Sequence, residues 1–190
     1  MNKNEIVHEL SATGALLEGH FELRSKLHSN RFFQCALLQR HPRVFARLCS
    51  ALAAKVREGL DDKRLDCVIA PALGGIVAGH ELARDLGLRS VFAEKQDGKL
   101  AMHRFSIEPG SRYIVAEDVV TRGGRVQETI DLVRAGGAEV AAVAVLVDRS
   151  AGAADFGVPF FKLLEMAPEV WKAEDCPLCR EGLPLVHPGS

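Results

Sequence analysis

The sequence predicts an α/β fold, Rossmann-like, with a central parallel sheet flanked by helices, and three observations predict it. Short apolar runs at residues 67–70, 113–116 and 141–147 alternate with helical patterns, the order that builds parallel strands joined by crossover helices. The last run contains no polar residue, as expected of a strand buried on both faces. Glycine pairs at Gly74-Gly75 and Gly123-Gly124 stand where a strand must turn into a helix.

Pro42 suits a first helical position, and Val44, Leu48, Leu52 and Val56 recur every fourth residue in one apolar stripe that ends near Gly59. After the strand at 67–70 and its glycine turn, a helical pattern covers residues 76–86 and stops at Gly87. A further run at 90–93 leads into the polar stretch 94–104, read as a projecting loop or hairpin. The strongest strand, 113–116, precedes Glu117 and Asp118, then a glycine turn. A helix with the apolar face Val126, Ile130 and Val133 follows and closes at Gly136-Gly137. No internal repeat or low-complexity segment interrupts this order.

A chain of 190 residues suits one domain with a small appendage. Its 24 basic and 25 acidic side chains nearly cancel, so no global field draws it to nucleic acid or anionic lipid, and phosphate binding must be local. No apolar run reaches the roughly 18 residues of a membrane span, and the first residues lack the build of a secretion signal. Five dispersed cysteines do not make a disulfide framework. The expectation is a cytoplasmic protein with free thiols, of which Cys35, Cys49 and Cys67 sit in apolar runs as core packing.

Ligands of parallel sheets bind beyond the carboxyl ends of the strands. At the end of the strongest strand stand two adjacent carboxylates, Glu117 and Asp118, and then Thr121, Arg122, Gly123, Gly124 and Arg125. Glycines let main-chain N–H groups approach a phosphate, and a helix N-terminus adds partial positive charge at the same place. A carboxylate can accept hydrogen bonds from neighbouring hydroxyls, so the acidic pair suits the diol of a sugar whose phosphate sits in the turn.

The stretch from Val115 through Glu117-Asp118 to Gly123-Gly124 resembles the phosphoribosyl pyrophosphate motif of type I phosphoribosyltransferases. Several further segments resemble the orotate branch of that family. They are Gly19-His20-Phe21, the stretch from Leu27-His28 through Phe32-Phe33 to Ala36, Pro71-Ala72-Leu73-Gly74-Gly75, Glu94 to Lys99, Val147-Asp148-Arg149 and Cys176-Pro177-Leu178-Cys179. The likeness spans residues 14 to 190 in order. It implies a type I phosphoribosyltransferase core over about residues 60–150. About residues 1–40 and the C-terminal tail would form a small hood or base-binding subdomain.

The resemblance also implies an activity: ribose 5-phosphate passes from phosphoribosyl pyrophosphate to orotate, with Mg²⁺, giving orotidine 5-phosphate and pyrophosphate for pyrimidine synthesis. Glu117 and Asp118 would hold the ribose hydroxyls, and Thr121, Arg122, Gly123, Gly124 and Arg125 the 5-phosphate. Ala72, Leu73 and Gly74 would offer main-chain donors to the pyrophosphate, with Lys95, Lys99, His103 and Arg104 as its cations. Phe32, Phe33 and Arg149 would receive the base. Lys99, His103 and Asp118 are the implied catalytic group. Mg²⁺ would be held by pyrophosphate and water rather than by a protein cage. The segment with Lys99 and His103 would close over a neighbouring subunit, which implies a homodimer, with no nucleic acid or membrane partner.

The chain departs from the family pattern at Arg122 and Arg125, where hydroxyl residues are usual, at Lys26, where glycine is usual, and at Lys95 in place of arginine. An enzyme for another base and a nucleotide-binding regulator without turnover therefore stay open as readings. Cys176 and Cys179 have the spacing of a metal half-site, with His187 as a candidate third ligand and no second matching pair in the sequence.

Overall fold

The computed structural model describes residues 1–23, 25–60 and 64–188. By their contacts these fall into two compact units, residues 42–166 and a second unit built from 1–41 with the C-terminal segment from residue 167.

The larger unit begins with α3 (Pro42–Gly59), following α1 (Lys3–Ala12) and α2 (Cys35–Gln39) of the other unit. It continues through β3 (Cys67–Pro71), α4 (Gly74–Leu86), β4 (Arg89–Gln96), β5 (Lys99–Ala101), β6 (Arg112–Val120), α5 (Gly124–Ala135), β7 (Glu139–Asp148) and β8 (Phe160–Glu165). The strand order is β5-β4-β3-β6-β7-β8, parallel throughout except for β5, which runs antiparallel to β4.

Alternation along the strands sorts the two faces of this sheet. Cys67 and Ile69 of β3, Tyr113 and Val115 of β6, and Val143 and Val145 of β7 pack with Val126, Ile130 and Val133 of α5. The intervening Val68, Ala70 and Ala116 face Gly79 of α4. The result is three layers, with α3 and α4 on one face and α5 on the other, and β7 buried from Val140 onward between α3 and α5.

The structure extends two sequence-predicted elements. β6 runs past its apolar run through Glu117 and Asp118 to Val120, because β7 continues beside it and pairs Val120 with Asp148. The polar stretch 94–104 is a hairpin: β4 and β5 join through Asp97 and Gly98, both at positive φ, as a two-residue turn of the type that matches strand twist. The Leu100 N–H donates to Glu128 at 2.6 Å, which ties this hairpin to α5.

In the smaller unit an antiparallel sheet is ordered β1 (Leu16–Glu22), β2 (His28–Phe33), β9 (Val170–Trp171). A 3-10 turn (Ala173–Asp175) and α6 (Pro177–Arg180) follow. α1 starts with a reciprocal capping box between Asn2 and Glu5. Lys26, in the turn between β1 and β2, has φ +64°, the left-handed region that explains why glycine suits this position, and its ammonium meets Glu22 at 2.8 Å.

Gly79 sets how closely α4 lies on the sheet, since a Cβ there would come within 2.8 Å of the Ala70 Cβ. Both atoms are fixed to backbone, so neither can swing aside. Gly79→Ala is expected to cost about 1–3 kcal/mol, read as a lower urea midpoint with unchanged slope. An unchanged midpoint would show that the helix lifts from the strand at no cost.

Candidate active site

The strand order reverses at β3: β4 lies on one side of it and the next core strand, β6, on the other. Such a switch point leaves a crevice at the carboxyl ends of the two central strands. β3 ends there in Pro71, Ala72 and Leu73, and α4 starts at Gly74. β6 carries Glu117 and Asp118 there, near its end at Val120, ahead of the turn into α5.

The two ends are pressed together. A Cβ on Gly74 would stand 3.1 Å from Asp118 Oδ2, and one on Gly75 would stand 2.8 Å from Glu117 Oε1. Glycine at both positions is thus what lets two carboxylates share the crevice with a helix N-terminus. The Ala72–Leu73 peptide is cis, the Ala72 N–H donates to the Ala93 carbonyl at 2.7 Å, and the Leu73 side chain is exposed.

Glu117 is buried, at 3 % exposure. The Asp118 N–H donates to its Oε1 at 3.2 Å, and the Val119 N–H donates to Asp118 Oδ1 at 2.8 Å. Burial pushes the Glu117 carboxyl up to about 9, and the neighbouring Asp118 carboxylate adds to the rise, against a smaller pull from the Asp118 N–H and the Arg125 charge. In the ligand-free chain at neutral pH Glu117 therefore carries a proton.

Beyond the acidic pair a cavity of about 100 Å³ is lined by Glu117 and residues 119–126. Gly123, at φ +76°, turns the chain into α5, and a Cβ on it would meet the Phe156 ring at 2.9 Å. Gly124 has open space around its Cα. Thr121, Arg122 and Arg125 are exposed, and among the described residues neither arginine makes an ion pair. Main-chain donors, a helix N-terminus and two cations thus meet at one small concavity, an arrangement suited to a phosphate.

β7 ends at Asp148, fully buried, and Arg149 follows. Burial works against ionisation of Asp148, yet Ser150 and Lys162, whose ammonium lies 3.0 Å away, together hold its carboxyl below the ordinary value. The Arg149 N–H donates to the Val120 carbonyl at 2.8 Å, so the residue is anchored beside the end of β6. Its side-chain Nε is buried without a hydrogen-bond partner, alone in this among the described residues, and burial draws the guanidinium below its usual value.

The structure brings Glu117, Asp118, Gly74 and the turn from Thr121 to Arg125 together at the switch point. Lys95 and Lys99 lie on the β4–β5 hairpin. His103 lines a separate concavity of about 670 Å³ with Arg89, Phe105 and Glu108, which shares no lining residue with the phosphate-sized one. Arg104 is paired with Glu94 at 2.9 Å. Phe32 and Phe33 close β2 in the smaller unit, both half-buried, with Phe32 5.9 Å from the Phe21 ring. There too the sequence expectation for His187 is corrected: it faces Glu22 at 3.5 Å, and the side chains beside Cys176 and Cys179 are His20 and His28.

A three-layer fold with an acidic pair and a glycine-bearing turn at its switch point is the arrangement of a phosphoribosyltransferase, and residues 37–173 match the phosphoribosyl transferase domain family. An orotate phosphoribosyltransferase of Carboxydothermus hydrogenoformans is 51 % identical over 93 % of this chain and 92 % of its own length. That of Desulforamulus reducens is 47 % identical over 100 % of this chain and 98 % of its own. Among solved structures, orotate phosphoribosyltransferase from Aeropyrum pernix superposes with a TM-score of 0.70 at 25 % identity, covering 85 % of this chain and 93 % of its own. The chain belongs to the orotate phosphoribosyltransferase family.

The protonated Glu117 has a thermodynamic consequence. Its folded-state value, about 9, lies above the ordinary 4.5, so between these pH values the folded chain holds a proton that the unfolded chain releases. Stability from this group is complete below about pH 4.5 and is lost as pH rises toward 9. Glu117→Gln keeps the shape and has no proton to lose. It is expected to melt above the parent at pH 8 by about 2–8 °C, for a gain of about 1–2 kcal/mol, with the gap closing toward pH 5. Equal gaps at both pH values in thermal melts of the ligand-free proteins would contradict this assignment.

Proposed function

We propose that the chain catalyses transfer of ribose 5-phosphate from phosphoribosyl pyrophosphate to orotate, giving orotidine 5-phosphate and pyrophosphate, with the switch-point crevice as its site. The observation that carries this reading is the convergence of Glu117, Asp118 and two glycine-bearing helix starts at the ends of β3 and β6.

In this reading the turn from Thr121 to Arg125 takes the 5-phosphate through main-chain N–H groups, with Arg122 and Arg125 approaching from its open side. Glu117 and Asp118 accept hydrogen bonds from the two ribose hydroxyls, so sugar and phosphate are gripped by consecutive residues of one strand and turn. The main chain from Ala72 to Gly74 faces the pyrophosphate. As the bond from C1 to the pyrophosphate oxygen breaks, positive charge builds on the ribose ring, and the fixed Asp118 carboxylate beside it stabilises that charge. A ring nitrogen of orotate bonds to C1 and releases its proton to water, and pyrophosphate leaves with the electron pair of the broken C1–O bond. Arg149, whose Nε has no partner inside the protein, is suited to an anionic planar base, because a guanidinium pairs with a carboxylate in a fork.

Mg²⁺ fits this crevice, since the hard carboxylate oxygens of Asp118 and Glu117 lie beside Gly74 and Gly75, where a magnesium–pyrophosphate complex can be reached through water. When bound, it neutralises the leaving group. Lys95 and Lys99 sit exposed on the hairpin and His103 lines a concavity other than the cradle, a placement that leaves them open to a second copy. A homodimer in which each hairpin closes over its neighbour, in the cytoplasm, is the assembly that follows.

The test mixes purified protein with orotate, phosphoribosyl pyrophosphate and Mg²⁺ and follows the loss of orotate absorbance. Asp118→Asn is expected to lower kcat/KM about 10²-fold or more, and Arg149→Ala to raise KM for orotate with a smaller effect on phosphoribosyl pyrophosphate. Saturable binding of phosphoribosyl pyrophosphate with no orotate turnover would overturn the choice of base.

A further inference from the structure

The smaller unit holds a cluster that the transfer reaction does not use. His20 of β1, His28 at the start of β2, Cys176 at the N-terminus of α6 and Cys179 within it offer four ligand atoms, all within 4.8 Å of one another. His20 Nε2 lies 2.9 Å from His28 Nδ1, 3.5 Å from Cys176 Sγ and 3.6 Å from Cys179 Sγ, and Cys179 Sγ lies 3.3 Å from His28 Nδ1. We propose that these four side chains bind one zinc ion as a structural site.

The spacing fits. Zinc bonds of about 2.3 Å to sulfur and 2.0–2.1 Å to nitrogen, arranged as a tetrahedron, put the two nitrogens about 3.3 Å apart and each nitrogen about 3.5 Å from each sulfur. The four separations of 2.9–3.6 Å need adjustments of only a few tenths of an ångström, and the widest separation in the set, 4.8 Å, must contract by about 1 Å as the ligands close on the ion. Two soft sulfurs and two imidazoles are also the donor set that selects zinc over hard cations.

The surroundings of His20 give a second, independent indication. Its other ring nitrogen, Nδ1, lies 2.9 Å from the Leu183 carbonyl oxygen, and a carbonyl can only accept. Nδ1 therefore carries the proton, and Nε2 presents a lone pair to the cluster. Ligating histidines are held this way, with the far nitrogen donating to a carbonyl that fixes both tautomer and ring orientation. His20, His28 and Cys176 are buried, so an ion held among them would be shielded from water on three sides.

Four protein ligands fill a tetrahedron and leave no position for substrate, which makes the role structural. The ion would join the β1–β2 hairpin to the C-terminal segment, since Cys176 is 156 residues beyond His20 in the chain. Weaker links already follow the same path: the Val186 N–H donates to the His20 carbonyl at 2.8 Å, and the Glu22 N–H to the Val186 carbonyl at 3.0 Å. A unit assembled from two distant segments has a small core of its own, the situation in which a metal staple contributes most.

The experiment uses the full chain, purified under reducing conditions, and is independent of turnover. Elemental analysis is expected to find about one zinc per chain, and replacement by Co²⁺ to give the visible bands and sulfur-to-cobalt charge transfer of a tetrahedral thiolate site. Cys179→Ser, at an exposed position, is expected to abolish the charge-transfer band or shift it strongly, whereas Cys35→Ser, a buried cysteine outside the cluster, leaves it intact. Chelation is expected to lower the melting temperature reversibly. A folded chain that takes up no stoichiometric zinc or cobalt on reconstitution, or a cobalt spectrum unchanged by Cys179→Ser, would overturn the proposal, as would isolation of Cys176 and Cys179 as a metal-free disulfide under those conditions.

Discussion

Holding two carboxylates against the start of a helix is the constraint around which the larger unit is organised. Glu117 and Asp118 occupy successive positions of β6, beyond the last pair with β3, and pairing with β7 carries the strand on to Val120. The crevice they enter is closed on the far side by Gly74 and Gly75, where a Cβ would crowd Asp118 at 3.1 Å and press on Glu117 at 2.8 Å. Close approach is therefore what favours glycine at both positions. The same requirement recurs lower in the sheet, where Gly79 lets α4 settle onto Ala70. A helix held that close keeps its first turn, and the donors it exposes, at a fixed height above the strand ends.

The arrangement is unfavourable in isolation. A buried carboxyl beside an ionised one resists ionisation, and Glu117 responds by keeping its proton. In the proposed reaction a sugar diol and a phosphate would replace the lost water with hydrogen bonds. Arg149 expresses the same logic with opposite charge, as a buried guanidinium nitrogen that the protein leaves unpaired. Asp148, one residue earlier, shows the contrast: Ser150 and Lys162 satisfy it internally, as befits a group that anchors the strand end.

Much of this was legible in the sequence, for particular reasons. The runs of β3, β6 and β7 are apolar and bounded by glycine, and the stripe of α3 repeats every fourth residue, so period and punctuation reveal them. The acidic pair and phosphate turn were legible because both lie in one contiguous stretch. β1 and β2 were not: Leu16-Leu17-Glu18-Gly19-His20 has no alternation, and the register shifts between Glu18 and Phe21. The edge strand β8 is only half covered, which blurs its pattern. The burial of Glu117 and the unpaired Nε of Arg149 depend on what packs around them, and no local pattern records that.

The histidine–cysteine cluster marks the sharper limit. Cys176 and Cys179 show a half-site because two ligands three residues apart share one turn of chain. His20 and His28 sit on different strands of a hairpin, and only strand pairing brings Nε2 of one to Nδ1 of the other. His187 is nearer to the cysteines in sequence and was the natural third ligand, yet the pairing of residue 186 with Phe21 carries it alongside Glu22. Ligand sets that close across a sheet are fixed by register, and a shift of one residue would turn either histidine to the opposite face. The bulge in β1 and the left-handed backbone at Lys26 set the register of this hairpin, and with it the place where four ligand atoms meet.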